Sequence, residues 1–277
     1  MSYLYAIFLG IVQGVAEFLP ISSSGHLSIF QHFLNLQNPE ESNLFFDVLL
    51  HFGTLIAVFI AYREEIVDLI LEFISMIKRE KSPMGKAAGL SNRRMILLIV
   101  LGTLPLFLIL PIKDKIEVLY DNTLFIGCAL LVTGLILFFS SRLNRGHKTA
   151  RNATIGDALL VGVSQALATV PGLSRSGTTI SCGLCCGFER SFAVKFSFFL
   201  SIPAVLGANL LQLIVAVSTG IDWVLFPKYM AGVAAAMISG YLSIRFLKQL
   251  AERKGLGGFA YYCWGVGAVT VILSLIK

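Results

Sequence analysis

Long apolar stretches alternate with short charged loops along this chain. Six stretches are uninterrupted and long enough for a helix to cross a bilayer, which takes about 20 residues. They are Leu44–Tyr62, Met95–Ile112, Thr123–Ser140, Ser191–Val217, Tyr229–Leu247 and Phe259–Ile276. The pattern predicts an all-α integral membrane protein with six transmembrane helices. A shorter apolar segment, Ile66–Ile77, has charged neighbours and is predicted to lie at the membrane interface.

Polar turns interrupt two further apolar stretches. Tyr3–Leu36 is broken at "LPISSSG" and Thr154–Phe188 at "VPGLSRSG". Neither half of either stretch crosses a bilayer comfortably. Each stretch is therefore predicted to form a re-entrant hairpin of two short helices.

Loop charges orient the predicted spans. Lys78–Arg94 contains six Lys and Arg residues, and Arg142–Arg151 and Arg245–Lys254 contain four each. The alternate loops, Asn35–Asn43, Lys113–Asp121 and Ser218–Lys228, contain three together. The positive-inside rule places the first set in the cytoplasm and both termini outside. The first hairpin then enters from outside, and the second, three spans later, from inside.

The two hairpins also resemble each other in sequence. At a constant offset of 152, six of the sixteen positions 10–25 are identical. The identical pairs are Gly10 and Gly162, Gln13 and Gln165, Ala16 and Ala168, Ser22 and Ser174, Ser24 and Ser176, and Gly25 and Gly177. We predict one membrane domain, 1–277, built from inverted-topology repeats at about 1–140 and 150–277. Such repeats commonly place a binding site where their broken helices meet.

The first break contains an acid, a histidine and three serines. Gln13 and Glu17 are four residues apart and share a helix face. Pro20 ends this helix, the Ser22–Ser24 triplet is predicted to form a non-helical turn, and His26 falls in the first turn of the return helix. Gln13 could serve only to hydrogen-bond a freed backbone group, and His26 could be a packed histidine.

The second break contains an arginine. Pro171 and Gly172 end one helix, and Ser174 or Ser176 can cap the next, whose first turn includes Gly177, Thr178 and Thr179. Two helix N-termini and Arg175 would then face one low-dielectric region, which is a site for an anion such as phosphate.

Each of these residues also has a purely structural interpretation. Glu17 and Arg175 could form a structural ion pair within the membrane, although charges in spans are usually functional. Ser24 and Ser176 could only cap helices. Asp47 and His51 share a helix face and are expected to have structural or supporting roles.

Composition agrees with a membrane protein. Hydrophobic residues make up 56% of the 277 residues and charged residues 14%, whereas soluble domains are about 25% charged. The net charge of +6 is explained by the cytoplasmic loops and does not require a nucleic acid partner.

Both breaks resemble the signatures of one family. "QGVAEFLPISSSGH" (Gln13–His26) resembles the (E/Q)-x-x-x-E and Pro-x-Ser-Ser-x-Gly-His motifs of the BacA/UppP family, and "PGLSRSGTT" (Pro171–Thr179) resembles its Pro-Gly-x-Ser-Arg-Ser-x-x-Thr motif. Gln13 stands at a position that is often acidic in the family, so the weight of the acid–base role moves to Glu17.

The resemblance implies an undecaprenyl-diphosphate phosphatase, a hydrolase of the bacterial inner membrane with its site facing outward. Such enzymes recycle the C55 lipid carrier of peptidoglycan synthesis, which affects cell shape, and their overproduction gives resistance to the antibiotic bacitracin. The expected catalytic residues are Glu17, Ser23, His26 and Arg175. The expected substrate contacts are Gln13, Ser22, Ser174, Ser176, Gly177, Thr178 and Thr179.

The mechanism and the cofactor stay open at this stage. Ser23 could attack and form a phosphoserine, activated by His26 or Glu17, or Glu17 could activate water directly. A divalent cation, Mg²⁺ or Ca²⁺, could bind at Glu17, and no organic cofactor is expected. The expected partners are the polyprenyl diphosphate lipid and the bilayer, and a homodimer is allowed but not required.

Two other classes of protein fit part of the pattern. A lipid-phosphate flippase or an anion transporter would use the same inverted repeats and the same arginine. It would not need an acid–base set beside the serines. A structural membrane protein would not explain polar breaks at repeat-related positions.

Overall fold

The computed structural model is built of α-helices joined by short loops, and it describes residues 1–33, 44–143, 146–219, 223–253 and 255–276. The helices are α1 (Tyr3–Phe18), α2 (Ser23–Phe33), α3 (Leu44–Ala61), α4 (Arg63–Lys78), α5 (Lys86–Thr103), α6 (Lys113–Glu117), α7 (Thr123–Ser141), α8 (Ile155–Leu167), α9 (Arg175–Cys185), α10 (Arg190–Thr219), α11 (Phe226–Arg253) and α12 (Gly258–Ile276). Short 3₁₀ turns occupy Leu104–Leu108, Leu110–Ile112, Val118–Asp121 and Trp223–Leu225.

Several helix ends are set by residues that the sequence places there. The Ser2 hydroxyl accepts from the Tyr5 N–H at the start of α1, and Asn122 caps α7 in the same way. Thr154 and Asp157 form a capping box at the start of α8, in which each side chain accepts from the other residue's N–H. Such caps satisfy N–H groups that have no partner within the helix.

Five of the six predicted spans correspond to helical stretches of sufficient length, although the second half of Met95–Ile112 forms 3₁₀ turns rather than α-helix. Five helical stretches are long and apolar enough to cross a membrane: Lys86–Ile116, Thr123–Ser141, Arg190–Val215, Trp223–Glu252 and Gly258–Ile276. The predicted span Leu44–Tyr62 corresponds to α3, which qualifies as a sixth span only together with α4. The protein is therefore a multi-pass helical membrane protein.

Helix α4 turns sharply from α3, with an angle of 87° between the pair. It covers the segment Ile66–Ile77 that was predicted to lie at the interface, and that placement stays a prediction. Residues 34–43, 144–145, 220–222, 254 and 277 lie outside the described residues. They include the whole of the predicted outer loop Asn35–Asn43 and parts of the loops Arg142–Arg151, Ser218–Lys228 and Arg245–Lys254.

Glycines bring the first helix of each broken stretch against another helix. A Cβ atom on Gly10 would lie 2.3 Å from the Gly232 carbonyl oxygen on α11, and one on Gly162 would lie 2.2 Å from the Gly102 carbonyl oxygen on α5. Small residues are enriched where membrane helices approach closely, because their backbones can then come into contact. Helices α1 and α8 are held by this packing.

Aromatic side chains fill the core directly behind the first break. The Phe18 ring contacts Phe198 with 5.5 Å between centroids, and Tyr62 contacts Phe198 at 5.9 Å. Phe18 and Phe198 are fully buried. Because Phe18 follows Glu17 directly, this aromatic packing fixes the end of α1.

A methyl group added at Gly14 tests the packing of α1 on α11. A Cβ atom there would lie 2.1 Å from the Ser239 hydroxyl oxygen and 2.4 Å from the Ala236 carbonyl oxygen. We expect Gly14→Ala to destabilise the protein by about 1–3 kcal/mol, the usual cost of overpacking, as measured by thermal unfolding in detergent.

Gly265→Ala is the matched control, since a Cβ atom on Gly265, in α12, meets no atom within 4 Å. Alanine is favoured over glycine within a helix by about 0.5–1 kcal/mol, so this variant should be as stable as the wild type or more stable. Equal stability of the two variants would contradict the close packing of α1.

Candidate active site

Each broken stretch turns at a proline and at one residue in the left-handed backbone region. At the first break, Leu19 is extended and Ser22 has a φ angle of 72°. At the second break, Gly172 has a φ angle of 89° after Pro171. A serine in this conformation is uncommon, because a side chain there crowds the backbone.

The return helices begin at Ser23 and at Arg175, so the prediction that the whole serine triplet is non-helical was wrong. Ser23 and Ser24 lie in the first turn of α2, and of the three serines only Ser22 lies outside the helix, directly after the turn at residues 19–21. Ser22 also caps α2, because its hydroxyl accepts from the Gly25 N–H at 3.2 Å. The suggested capping role of Ser24 therefore belongs to Ser22.

The second return helix begins as the sequence predicts. The Ser174 hydroxyl caps α9 by accepting from the Gly177 N–H at 3.1 Å, and Gly177, Thr178 and Thr179 lie in the helix's first turns. Ser176 does not cap this helix. Its hydroxyl donates to the Leu19 carbonyl of the first break at 3.1 Å.

The two breaks meet in the structure. Besides the bond from Ser176, a Cβ atom on Gly25 would lie 3.2 Å from the Gly172 Cα, and one on Gly177 would lie 3.2 Å from the Pro20 Cβ. The N-termini of α2 and α9 are thereby brought close together. Helix N-termini carry free N–H groups and partial positive charge, so this region favours an anion.

Glu17 lies at the centre of the junction. One carboxylate oxygen, Oε1, accepts from the Arg175 guanidinium in an ion pair. The other, Oε2, accepts from the Ser23 hydroxyl at 2.7 Å and from the Gln13 amide at 3.1 Å. Glu17 is 8% exposed, and this buried carboxylate joins a cation and a hydroxyl that come from different breaks.

Gln13 links Glu17 to a histidine on α3. Its amide nitrogen lies 3.0 Å from His51 Nδ1, and an amide nitrogen only donates, so Nδ1 is the acceptor. His51 Nδ1 is also 4.0 Å from the Glu17 carboxylate. The Gln13 side-chain oxygen is buried and has no hydrogen-bond partner in the described part of the chain.

The His26 ring forms its hydrogen bonds with groups other than the Ser23 hydroxyl. Its Nδ1 lies 2.8 Å from the Ser22 carbonyl oxygen, and its Nε2 lies 2.9 Å from the Tyr262 hydroxyl of α12. Both ring nitrogens are therefore occupied by groups other than Ser23.

Polar groups from neighbouring spans support the second break. Thr133 on α7 donates to the Gly172 carbonyl at 3.1 Å and accepts from the Ser174 N–H at 3.2 Å. Thr179 shares a 2.6 Å hydrogen bond with Ser197 on α10. The Thr178 hydroxyl is buried and has no partner among the described residues.

Three participants were not identified as site residues from the sequence. His51 was given a supporting role, and Thr133 and Tyr262 were not singled out. Thr133 carried a weak signal, since it is a polar residue within an otherwise apolar span. Asp47, the partner of His51 in the pattern, is half-buried and makes none of the contacts described here.

Fold and site together define a class: a multi-pass helical membrane protein in which a buried Glu–Arg ion pair lies between the starts of two short helices. Within this class the chain belongs to the bacitracin resistance protein BacA family, whose family model matches residues 6–269. This agrees with the resemblance seen in both motifs.

Similar proteins of the family cover the whole chain. The chain is 41% identical over 277 residues to an undecaprenyl-diphosphatase of Alkaliphilus metalliredigens, with 100% of both chains covered. It is 41% identical over 289 residues to an undecaprenyl-diphosphatase of Methanosphaera stadtmanae, covering 100% of this chain and 99% of the relative. It is 37% identical to undecaprenyl-diphosphatase 3 of Bacillus cereus (strain ATCC 14579), with 99% and 98% covered.

The ion pair at the junction should be detectable as a coupling between two substitutions. Arg175→Gln leaves the buried Glu17 carboxylate without a cation, which we expect to cost about 3 kcal/mol. The double variant Glu17→Gln/Arg175→Gln should lose less stability than the sum of the two single variants. The free energy of unfolding in detergent is measured for the wild type, both single variants and the double variant. The deviation from additivity is the interaction energy of the two side chains.

The pair of Lys195 and Glu65 provides the control. Lys195 Nζ lies 3.3 Å from Glu65 Oε1, and the two side chains are 39% and 40% exposed. Because the pair is exposed, Glu65→Gln should lower the free energy of unfolding by less than about 1 kcal/mol. Strictly additive effects at Glu17 and Arg175 would mean that the two charges do not stabilise each other.

Proposed function

We propose that this protein is an undecaprenyl-diphosphate phosphatase, which hydrolyses undecaprenyl diphosphate to undecaprenyl phosphate and inorganic phosphate. The observation that carries the proposal is the Glu17 carboxylate, which contacts both the Ser23 hydroxyl and the Arg175 guanidinium. A nucleophile, a base and a phosphate-binding cation are thus within one cluster. Relatives that match the entire chain carry the name undecaprenyl-diphosphatase.

The diphosphate would bind where the N-termini of α2 and α9 meet. Arg175 supplies a planar fork of donors that suits phosphate oxygens. The other predicted contacts lie at the starts of the same two helices: Ser22, Ser174, Ser176, Gly177, Thr178 and Thr179. Within this set the Ser176 hydroxyl and the Gly177 N–H already donate to protein acceptors, so they would shape the site rather than supply new donors. The unpartnered Thr178 hydroxyl would gain a hydrogen bond from the substrate, since a buried polar group without a partner is costly.

In the proposed reaction the Ser23 oxygen attacks the terminal phosphorus. A bond forms between Ser23 Oγ and phosphorus, the bond from phosphorus to the bridging oxygen breaks, and undecaprenyl phosphate leaves. Glu17 accepts the Ser23 proton, and water then hydrolyses the phosphoserine to release inorganic phosphate. In the alternative route, Glu17 activates a water molecule that attacks the phosphorus directly.

Substrate binding would also prepare the base. Arg175 pairs with Glu17, and a bound diphosphate would compete for the same guanidinium. As Arg175 turns toward the phosphate, Glu17 loses its cation and becomes a better proton acceptor for Ser23.

The geometry favours Glu17 over His26 as the base for Ser23. The Ser23 hydroxyl donates to Glu17 at 2.7 Å, whereas both nitrogens of His26 contact Ser22 and Tyr262. A role for His26 in catalysis would be to hold the turn that carries Ser23.

A divalent cation, Mg²⁺ or Ca²⁺, fits this site only with help from the substrate. The described residues include no group of three or more His, Cys, Asp or Glu side chains that could hold a metal ion. Glu17 and the unpartnered Gln13 oxygen would provide two oxygen ligands, and the diphosphate and water would provide the others, as is usual for Mg²⁺. Such an ion would neutralise charge on the phosphate oxygens.

The proposal includes an inverted repeat with two re-entrant hairpins, α1–α2 and α8–α9. Several features support it. The helix bounds in the two hairpins differ by the same 152 residues that relate their sequences. This offset separates the start of α1 from that of α8, and both the start and the end of α2 from those of α9. Helix α1 packs on α11 of the second half, and α8 packs on α5 of the first half. By analogy with the family, we also propose that the site faces the outer side of a bacterial cytoplasmic membrane, with the loops rich in Lys and Arg in the cytoplasm.

Phosphate release from undecaprenyl diphosphate by the purified protein in detergent tests the proposed function. Hydrolysis by the wild type and its absence in Glu17→Gln would support it. If lipid moves between leaflets of a vesicle without any phosphate release, the protein is a lipid-phosphate carrier instead, which would use the same arginine and helix N-termini.

Substitution of the serines separates nucleophile from scaffold. Ser23→Ala should lower kcat by at least about 100-fold because it removes the attacking oxygen. Ser24→Ala should lower kcat only slightly, since the Ser24 hydroxyl contacts Ser22 at 3.4 Å and does not contact Glu17. Rapid quenching with labelled substrate should trap phosphate on Ser23. Loss of activity in Ser23→Ala without any trapped intermediate in the wild type would favour direct attack by water.

Replacing Arg175 by lysine tests its donor geometry. Lysine keeps the charge but lacks the planar fork, so we expect Arg175→Lys to lower kcat/KM by about 100-fold, the scale of one lost transition-state donor. Thermal unfolding should show that the variant is folded. Near-normal turnover would assign Arg175 a structural role only.

A further inference from the structure

Tyr262 contacts the first break from a distant part of the chain. It lies in α12, which also contacts the break through the neighbouring residue, because Cys263 Sγ lies 3.6 Å from the Pro20 carbonyl oxygen. The Tyr262 hydroxyl is 2.9 Å from His26 Nε2. The phenol and imidazole rings are nearly parallel, with an angle of 9° and centroids 5.7 Å apart.

The hydrogen bonds around His26 define its protonation in the neutral ring. The Ser22 carbonyl oxygen can only accept, so His26 Nδ1, 2.8 Å away, carries the proton. His26 Nε2 is then the acceptor, and the Tyr262 hydroxyl donates to it. Tyr262 therefore stabilises the tautomer that binds Ser22.

Ser22 in turn determines where Ser23 lies. Its left-handed backbone is held by three bonds: its carbonyl accepts from the His26 N–H and from the His26 ring, and its hydroxyl accepts from the Gly25 N–H. Ser23 follows directly and donates to Glu17. The contacts form one chain from Tyr262 through His26 and Ser22 to the proposed nucleophile.

We propose that Tyr262 is a positioning residue for the phosphatase reaction. Its hydroxyl fixes the His26 ring, which holds the strained Ser22 turn and thereby aims the Ser23 hydroxyl at the phosphorus. Orientation of a nucleophile is a large part of catalysis, and a small displacement is costly. This role rests on the proposed function, and Tyr262 itself need not contact the substrate.

Steady-state kinetics on three tyrosine variants test this role. Tyr262→Phe keeps the ring but loses the hydroxyl, and it should lower kcat about tenfold, the scale of one well-placed hydrogen bond, with KM nearly unchanged. Tyr262→Leu should lower kcat further. Tyr261→Phe is the control, because the Tyr261 ring packs against Phe138 and Trp264 on another side of α12, and its kcat should equal that of the wild type.

Introducing Tyr262→Phe into a protein that already carries a substitution at His26 shows whether Tyr262 acts through His26. Asn at position 26 can still donate to the Ser22 carbonyl from its amide but has no atom equivalent to Nε2. His26→Asn should therefore retain more activity than His26→Ala, and adding Tyr262→Phe to His26→Asn should change kcat less than twofold. Independent, multiplying effects of the two substitutions would overturn the proposal.

The outcomes separate this role from the proposed function. No phosphate release by the wild type would overturn both. Normal hydrolysis by the wild type with an unchanged kcat in Tyr262→Phe would overturn the positioning role alone. A tenfold rise in KM at constant kcat would also overturn it, because Tyr262 would then act in substrate binding.

Discussion

The ion pair between Glu17 and Arg175 is the interaction on which the rest of the structure depends. A charged group in an apolar environment is costly unless a partner of opposite sign and further hydrogen bonds compensate it. Glu17 is at the end of α1 and Arg175 is at the start of α9. The two halves of the chain must therefore bring their breaks together to satisfy both charges, and the proposed anion site lies where they meet.

Close helix packing makes this meeting possible. Glycine contacts hold α1 against α11 and α8 against α5, so the two helices that lead into the breaks have little freedom. The aromatic packing of Phe18 on Phe198 fixes the residue next to Glu17. A catalytic arrangement held within a fraction of an ångström needs such support, because orientation contributes directly to the rate.

Local features of the site could be predicted from the sequence, and the long-range ones could not. Short-range sequence patterns predict three features of the site. They are the shared helix face of Gln13 and Glu17, the start of a helix near Ser174 and the presence of both breaks. The sequence did not reveal that Ser22 has a left-handed backbone. Ser22, Ser23 and Ser24 are chemically identical, so nothing in the sequence shows which of them adopts that conformation. The contact between His26 and Tyr262 joins residues 236 positions apart, and no local pattern carries that information.

Gln13 shows how the site works with a single carboxylate. Its amide donates to Glu17 and to His51 Nδ1, whereas a second ionised acid at this position would face Glu17 and raise the cost of keeping both charged. Because Gln13 is uncharged, the one negative charge of Glu17 balances the one positive charge of Arg175. The net charge of these three side chains is therefore close to zero. Under the proposed function, a diphosphate would meet the N-termini of two helices and one guanidinium without repulsion from a second carboxylate. In the proposed mechanism the substrate competes with Glu17 for Arg175, and the Ser23 hydroxyl already donates to Glu17, so substrate binding would itself prepare Glu17 to accept the Ser23 proton.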